Sequence, residues 1–109
     1  MLPEPPPRLV FSYDSAAALL PEVRRLTEEA ILLVDEARES GEGPEAEERV
    51  HSIVADWAAA MIDRGLDVKG LWLVDFDNGS GYYCWRYPET GLDYFHTYEE
   101  GFRGRMRIQ

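Results

Sequence analysis

Residues 71–96 read LWLVDFDNGSGYYCWRYPETGLDYFH, and the reading of this stretch decides the fold. Residues 71–76 are apolar or aromatic except at Asp75, a composition suited to a pleated, half-buried surface. Asp77-Asn78-Gly79-Ser80-Gly81 is a strong hairpin-turn signal. Residues 82–87 form a second strand, residues 88–91 turn again, and residues 92–96 form a third. The three make an antiparallel meander. Trp72, Val74 and Phe76 fall on one face at period two, with Tyr83, Trp85 and Tyr87 as their cross-strand partners. A sheet of this size is stable only with one face covered.

The cover lies upstream, where the period becomes helical. Val23, Leu26, Ala30, Leu33, Val34 and Ala37 share one helix face, and Ile31 and Leu32 broaden it. Ser12 or Asp14 caps a short stretch ending at Leu20. Pro21 then restarts the helix, since a first turn does not need its missing N–H. Gly41 ends this helix and Pro44 opens the next. Val50, Ile53, Val54, Trp57 and Met61 mark one face of the second helix, which Gly65 closes. Each helix is about 20 residues and about 30 Å long, and so short a link makes them antiparallel neighbours. The expected fold is α+β: an antiparallel helical hairpin packed on a three-stranded antiparallel β-meander. Residues 11–65 supply the helices, and residues 66–109 the sheet and a C-terminal loop. Residues 1–10 form a flexible, proline-rich lead. Thr97 and Glu100 have capping-box spacing and predict a single turn of helix after the sheet.

The chain of 109 residues is one domain, with 45% hydrophobic and 12% aromatic residues, which excludes disorder. The net charge is −10, and residues 1–65 hold 14 acids against 6 bases. Such a surface argues against nucleic acid and anionic membrane, which both require a positive face. Cys84 is the only cysteine, so there is no intrachain disulfide and no cysteine-rich zinc cluster. The start, MLPEPPPRL, lacks the basic region and apolar run of a secretory signal. No stretch approaches the roughly 20 apolar residues of a membrane span. A cytoplasmic protein is expected.

Three groups of residues resemble a bacterial family known as domain of unknown function 2203. They are Phe11-Ser12, Ala16 and Leu19-Leu20-Pro21-Glu22-Val23; then Gly65, Val68-Lys69 and Leu73-Val74-Asp75-Phe76; then Cys84-Trp85, His96 and Gly101-Phe102-x-Gly104-Arg105. The resemblance runs in order over residues 11–105. It departs at Trp72 and Pro88, where the family tends to have glycine, and at Phe95, where it tends to have tryptophan. The resemblance implies a small bacterial protein and brings no activity with it.

Chemistry is concentrated at Asp75, Cys84, His96 and Arg105, with Lys69, Arg86 and Glu89 behind them. With a loop at residues 78–81, Asp75 lies opposite Cys84. A carboxylate there raises the thiol's pKa and makes no nucleophile by itself. His96 changes that if it shares the face, because Cys–His is the minimum for thiolate catalysis. A tight loop at residues 88–91 pairs Cys84 with Phe95 and turns His96 away. A slip of one residue brings His96 round. Asp75 and His96 are also metal-ligand candidates, with Glu99, Glu100 or Cys84 able to join them. The alternative is structural: Cys84 as a small buried residue, Asp75 bonded to a turn, His96 tethering the last loop. His51 reads as a surface histidine. Arg103, Arg105 and Arg107 could hold an anion but more simply answer the acidic residues. No Walker loop, GxGxxG or GxSxG is present, and the identity of any cofactor stays open.

Two functions fit. The leading one is a non-enzymatic interaction protein, expected as a homodimer and open to another protein partner, because Ile31, Leu32, Tyr82 and Tyr98 remain after one core is filled. The other is a small-molecule or metal-binding protein, with hydrolysis open to it, and its site at Asp75, Cys84, His96 and Arg105.

Overall fold

The computed structural model describes residues 9–108, so residues 1–8 of the expected flexible lead lie outside the described residues. Helix α1 spans Tyr13–Glu39 and α2 spans Pro44–Asp63. Five strands follow: β1 Asp67–Gly70, β2 Leu73–Asp77, β3 Gly81–Arg86, β4 Tyr94–Thr97 and β5 Met106–Arg107. A 3-10 turn at Phe102–Gly104 precedes β5. The strands form one antiparallel sheet in the order β1-β2-β3-β4-β5.

Helix α1 is continuous, and the expected break before Pro21 does not occur. The Ser12 side chain caps it, accepting the Ser15 N–H at 3.0 Å. Pro21 removes only the bond to the carbonyl four residues back. A buried seam of Ala16, Leu20, Val23, Thr27, Ala30, Val34 and Ala37 runs past it in alternating steps of four and three. Packing along that seam carries the helix through the proline, to 27 residues and about 40 Å. Thr27 takes a seam position that the apolar pattern had assigned near Leu26, and Leu33 turns outward. The Thr27 hydroxyl donates to the Val23 carbonyl at 2.8 Å and accepts from Trp57 Nε1 at 2.9 Å, so this buried polar group is satisfied twice. Gly43 (φ 101°) precedes Pro44, and Gly65 (φ 86°) closes α2, as the glycine signals required.

The core joins Ala16, Leu20, Val23 and Ala30 of α1, Trp57 and Met61 of α2, and Val74, Phe76 and Trp85 of the sheet. Val74 pairs with Trp85 and Phe76 with Tyr83, as expected. Residues 31–52, the loop end of the hairpin, contribute nothing to this cluster.

The sheet has two strands more than the expected three, one at each edge. β1 is short and half charged, so no apolar alternation announces it. It pairs Asp67 with Asp75 and Val68 with Val74. Residues 71–72, read above as strand, are the turn that returns β1 into β2. Trp72 has φ 59°, a left-handed conformation that glycine adopts without steric cost. Its ring meets Trp57 edge-on at 4.9 Å, and its carbonyl accepts the Tyr87 N–H at 3.0 Å. β5 has only two residues and cannot show a period.

The register of β4 is the slipped one: Cys84 pairs with Tyr94 and Tyr82 with His96. The connection is a seven-residue loop, 87–93, rather than a tight turn. Its residues are anchored elsewhere. Leu92 is buried in the core and its carbonyl accepts from the Tyr13 hydroxyl at 3.1 Å. The Glu89 carbonyl accepts from Trp85 Nε1 at 2.8 Å. His96 therefore stands on the same face as Cys84 and Asp75.

Candidate functional site

Period two sorts β2 sharply. Val74 and Phe76 point to the helices; Asp75 and Asp77 point to the other face, with Tyr82, Cys84 and His96 of the next strands. That second face is buried as well: Asp75 is 1% exposed, Cys84 1% and His96 3%. Its cover includes the chain after β4. Tyr98, Glu99, Glu100, Gly101 and Phe102 join Lys69, Leu73 and the sheet residues around a cavity of about 330 Å³.

The imidazole of His96 is held at both nitrogens. Nδ1 lies 2.8 Å from the Thr97 carbonyl, and Nε2 lies 2.8 Å from Asp75 Oδ2. A carbonyl only accepts, so Nδ1 carries a hydrogen and donates it. Asp75 Oδ1 is buried with no hydrogen-bond partner. Burial holds the Asp75 carboxyl above the usual carboxylate range, while His96, the Cys84 thiol as a weak donor and, less strongly, Lys69 pull it back down. The Cys84 thiol is pushed up to about 12, first by burial and then by the Asp75 charge; Arg105 opposes the shift. One ligand-type atom each from Asp75, Cys84 and His96 lie within 4.8 Å of one another.

Arg105 stacks between aromatic rings, its guanidinium carbon 3.9 Å from the Tyr94 centroid and 4.1 Å from that of Phe102. It also meets Glu89 at 2.8 Å. Glu89 accepts the Arg86 backbone N–H at 2.8 Å, so these three form a small structural knot beside the cluster. Arg86 lies beyond the paired residues of β3 and β4, and its guanidinium lies over Phe102 at 5.4 Å. Lys69 lines the cavity with Nζ 4.7 Å from the Tyr82 ring centre. His51 is exposed on α2, and Arg103 and Arg107 are exposed near the C-terminal end.

Sequence reasoning missed Asp77, Tyr82 and Tyr98. Asp77 Oδ1 accepts from the Tyr98 hydroxyl at 2.6 Å and from the Gly79 N–H at 2.9 Å. Tyr82, expected to be left over, is buried against the His96 ring at 5.3 Å. The signal was available: Asp75 and Asp77 are two apart and alternate with Val74 and Phe76, which places two acids on one face.

The arrangement is not that of a thiolate nucleophile. Both His96 nitrogens are engaged by other groups, Nδ1 by the Thr97 carbonyl and Nε2 by Asp75, and a thiol protonated up to about 12 stays unreactive near neutrality. It is a buried carboxylate–imidazole–thiol cluster at the floor of a cavity, carried on adjacent strands of an α+β protein. The family described as Uncharacterized conserved protein (DUF2203) matches residues 9–108, and the chain belongs to it. No curated protein and no solved structure matches the chain. Among the described residues, no helix is long and apolar enough to cross a membrane.

Proposed function

We propose that this protein binds a small ligand in the cavity between the sheet and residues 98–102, with Asp75 and His96 as its anchor. One observation carries the reading: Asp75 Oδ1 is a buried carboxylate oxygen without a partner, on a residue that lines the cavity. Leaving such an atom unpaired costs about 1–3 kcal/mol or more, and a ligand that donates to it, or carries positive charge, removes that cost. The surroundings suit such a ligand. Asp75, Glu99 and Glu100 outnumber Lys69 as charges, and Tyr82, Tyr98 and Phe102 supply aromatic walls. The test is native mass spectrometry of untagged protein, with elemental analysis of the same sample. A stoichiometric bound mass, absent from Asp75→Asn protein that still unfolds cooperatively, is the expected result. A bare chain whose melting temperature is unmoved by millimolar divalent cations and small amines sinks the reading.

A second reading, homodimerisation, draws on the other end of the molecule. Leu32 and Leu33 are 63% and 50% exposed on a part of α1 that lies outside the cluster joining helices and sheet. A second copy packing there covers both and turns two hairpins into a four-helix arrangement. Light scattering at about 100 µM tests it, since an interface of ordinary size holds well below that. A monomer at that concentration excludes it.

A further inference from the structure

We infer that the floor of the cavity is a mononuclear site for a divalent transition-metal ion of the zinc class, held by Asp75, Cys84 and His96 with its fourth position open to the cavity. This rests on the ligand-binding reading above and names the ligand.

The first argument is an accounting of hydrogens. His96 Nδ1 spends its hydrogen on the Thr97 carbonyl, which leaves a lone pair on Nε2. That lone pair faces a carboxylate oxygen 2.8 Å away, which also offers only lone pairs when ionised. Two acceptors at this distance need something positive between them: one proton, or a metal ion. A histidine whose other N–H is fixed on a backbone carbonyl is the usual posture of a metal ligand.

The second argument is what a shared proton leaves unexplained. It satisfies Asp75 Oδ2 and His96 Nε2 but leaves Asp75 Oδ1 buried and unpaired. Directly across from that carboxylate sits the only cysteine of the chain, whose thiol is at most a weak donor to it. A metal ion uses both. A carboxylate can ligate through either oxygen, and a thiol beside a divalent ion gives up its proton to become a ligand.

Spacing and charge agree. Four-coordinate zinc, with bonds of about 2.0–2.3 Å, keeps its ligand atoms about 3.3–3.6 Å apart. The three candidate atoms lie within 4.8 Å of one another, and the Nε2–Oδ2 pair, 2.8 Å apart around a shared proton, has to open by about 0.5–0.8 Å to hold an ion. One carboxylate, one thiolate and a neutral imidazole balance a doubly charged ion, which suits a buried position. On binding, the thiol proton and the proton shared by His96 and Asp75 leave to solvent. The O, N, S donor set selects zinc, cobalt or their neighbours over magnesium and calcium, which require oxygen ligands. Three ligands from three adjacent strands leave no short motif in the sequence, unlike two histidines on one helix turn.

The experiment is titration of chelator-treated, full-length protein with Co²⁺, followed by absorbance. Because Cys84 is the only cysteine, a near-ultraviolet thiolate-to-cobalt band in the wild type reports that ligand with no variant needed. The expected result is one equivalent of Co²⁺, that band, visible bands of four-coordinate cobalt, and displacement by Zn²⁺. Cys84→Ser, close in size to the native residue, loses the thiolate band. Asp75→Asn and His96→Gln weaken Co²⁺ by at least about tenfold. A folded wild type that takes up neither Co²⁺ nor Zn²⁺ overturns the metal site, and an organic mass found in the cavity then leaves the ligand reading standing alone. Uptake without a thiolate band, or with equal affinity in folded His96→Gln, places the ion elsewhere and also overturns it.

Discussion

The two faces of β2 are buried to the same depth and filled with opposite chemistry. Val74 and Phe76 meet the helices; Asp75 and Asp77, one residue further along each time, meet the cavity and the chain beyond β4. The difference follows from what covers each face. A helix bonds its own backbone groups internally, so it offers a sheet only side chains, and apolar ones pack best. A loop brings unspent carbonyls, amides and hydroxyls. Here the Thr97 carbonyl takes the His96 N–H, and the Tyr98 hydroxyl takes a lone pair of Asp77. The acids of β2 are tolerable because their cover is irregular.

The largest effect tests the apolar side. Trp85→Ala opens a cavity among Val74, Phe76 and the helices and should cost about 3–5 kcal/mol in urea unfolding. A loss below about 1 kcal/mol would show that the helices do not rest on this face. Asp75→Ala comes next. It strips His96 Nε2 of its partner and should cost about 1–3 kcal/mol in metal-free protein. Asp75→Asn should cost clearly less, because its amide can donate to that nitrogen; equal losses would mean the hydrogen bond is not what matters. Tyr98→Phe removes one hydroxyl from Asp77 and should cost about 0.5–1.5 kcal/mol.

Cys84 sharpens the comparison without mutation. Its thiol should resist iodoacetamide at pH 8 in the native protein and react at once in urea, read by mass. The sign of its pH effect is fixed by the raised pKa. In metal-free protein the native thiol keeps its proton while the unfolded one loses it from about 9 upward, so this contribution to stability fades between pH 9 and about 12. Rapid native alkylation would show that the face opens. The smallest effect lies outside both faces. Arg64 beside Glu22, at 3.1 Å, holds that exposed carboxyl below its usual 4.5. Its contribution is complete above 4.5 and is lost as pH falls through the lowered value. Glu22→Gln should slightly flatten that part of an acid-unfolding curve, and an identical curve would remove the pair from the account.

The elements with a strong period were legible from the residues. Both helices, the 77–81 turn and the Asp75–Cys84 pairing follow from alternation, caps and glycines. What failed was local chemistry outvoted by packing. Pro21 looked like a restart but lies within a helix whose seam is continuous on both sides. β1 and β5 carry too few apolar residues to show a period, and Trp72 hides a turn behind an aromatic side chain. The site depended on one register. Cys84 and Asp75 were legible as neighbours because the turn before them is tight. The position of His96 was not, because the loop at 87–93 is set by Leu92, which accepts from the distant Tyr13 hydroxyl, and by Glu89, whose carbonyl accepts from the Trp85 indole.

The meeting of Trp57 and Trp72 gives the molecule a built-in optical signal. Their rings stand 4.9 Å apart at 78°, one on the helix layer and one on the turn that opens the sheet. Indoles that close couple their electronic transitions, and the coupling shows as a paired positive and negative feature in circular dichroism. It vanishes as soon as the layers separate, even while each layer keeps its hydrogen bonds. Lifting of the hairpin from the sheet can thus be followed in the unlabelled protein, independently of the melting of either.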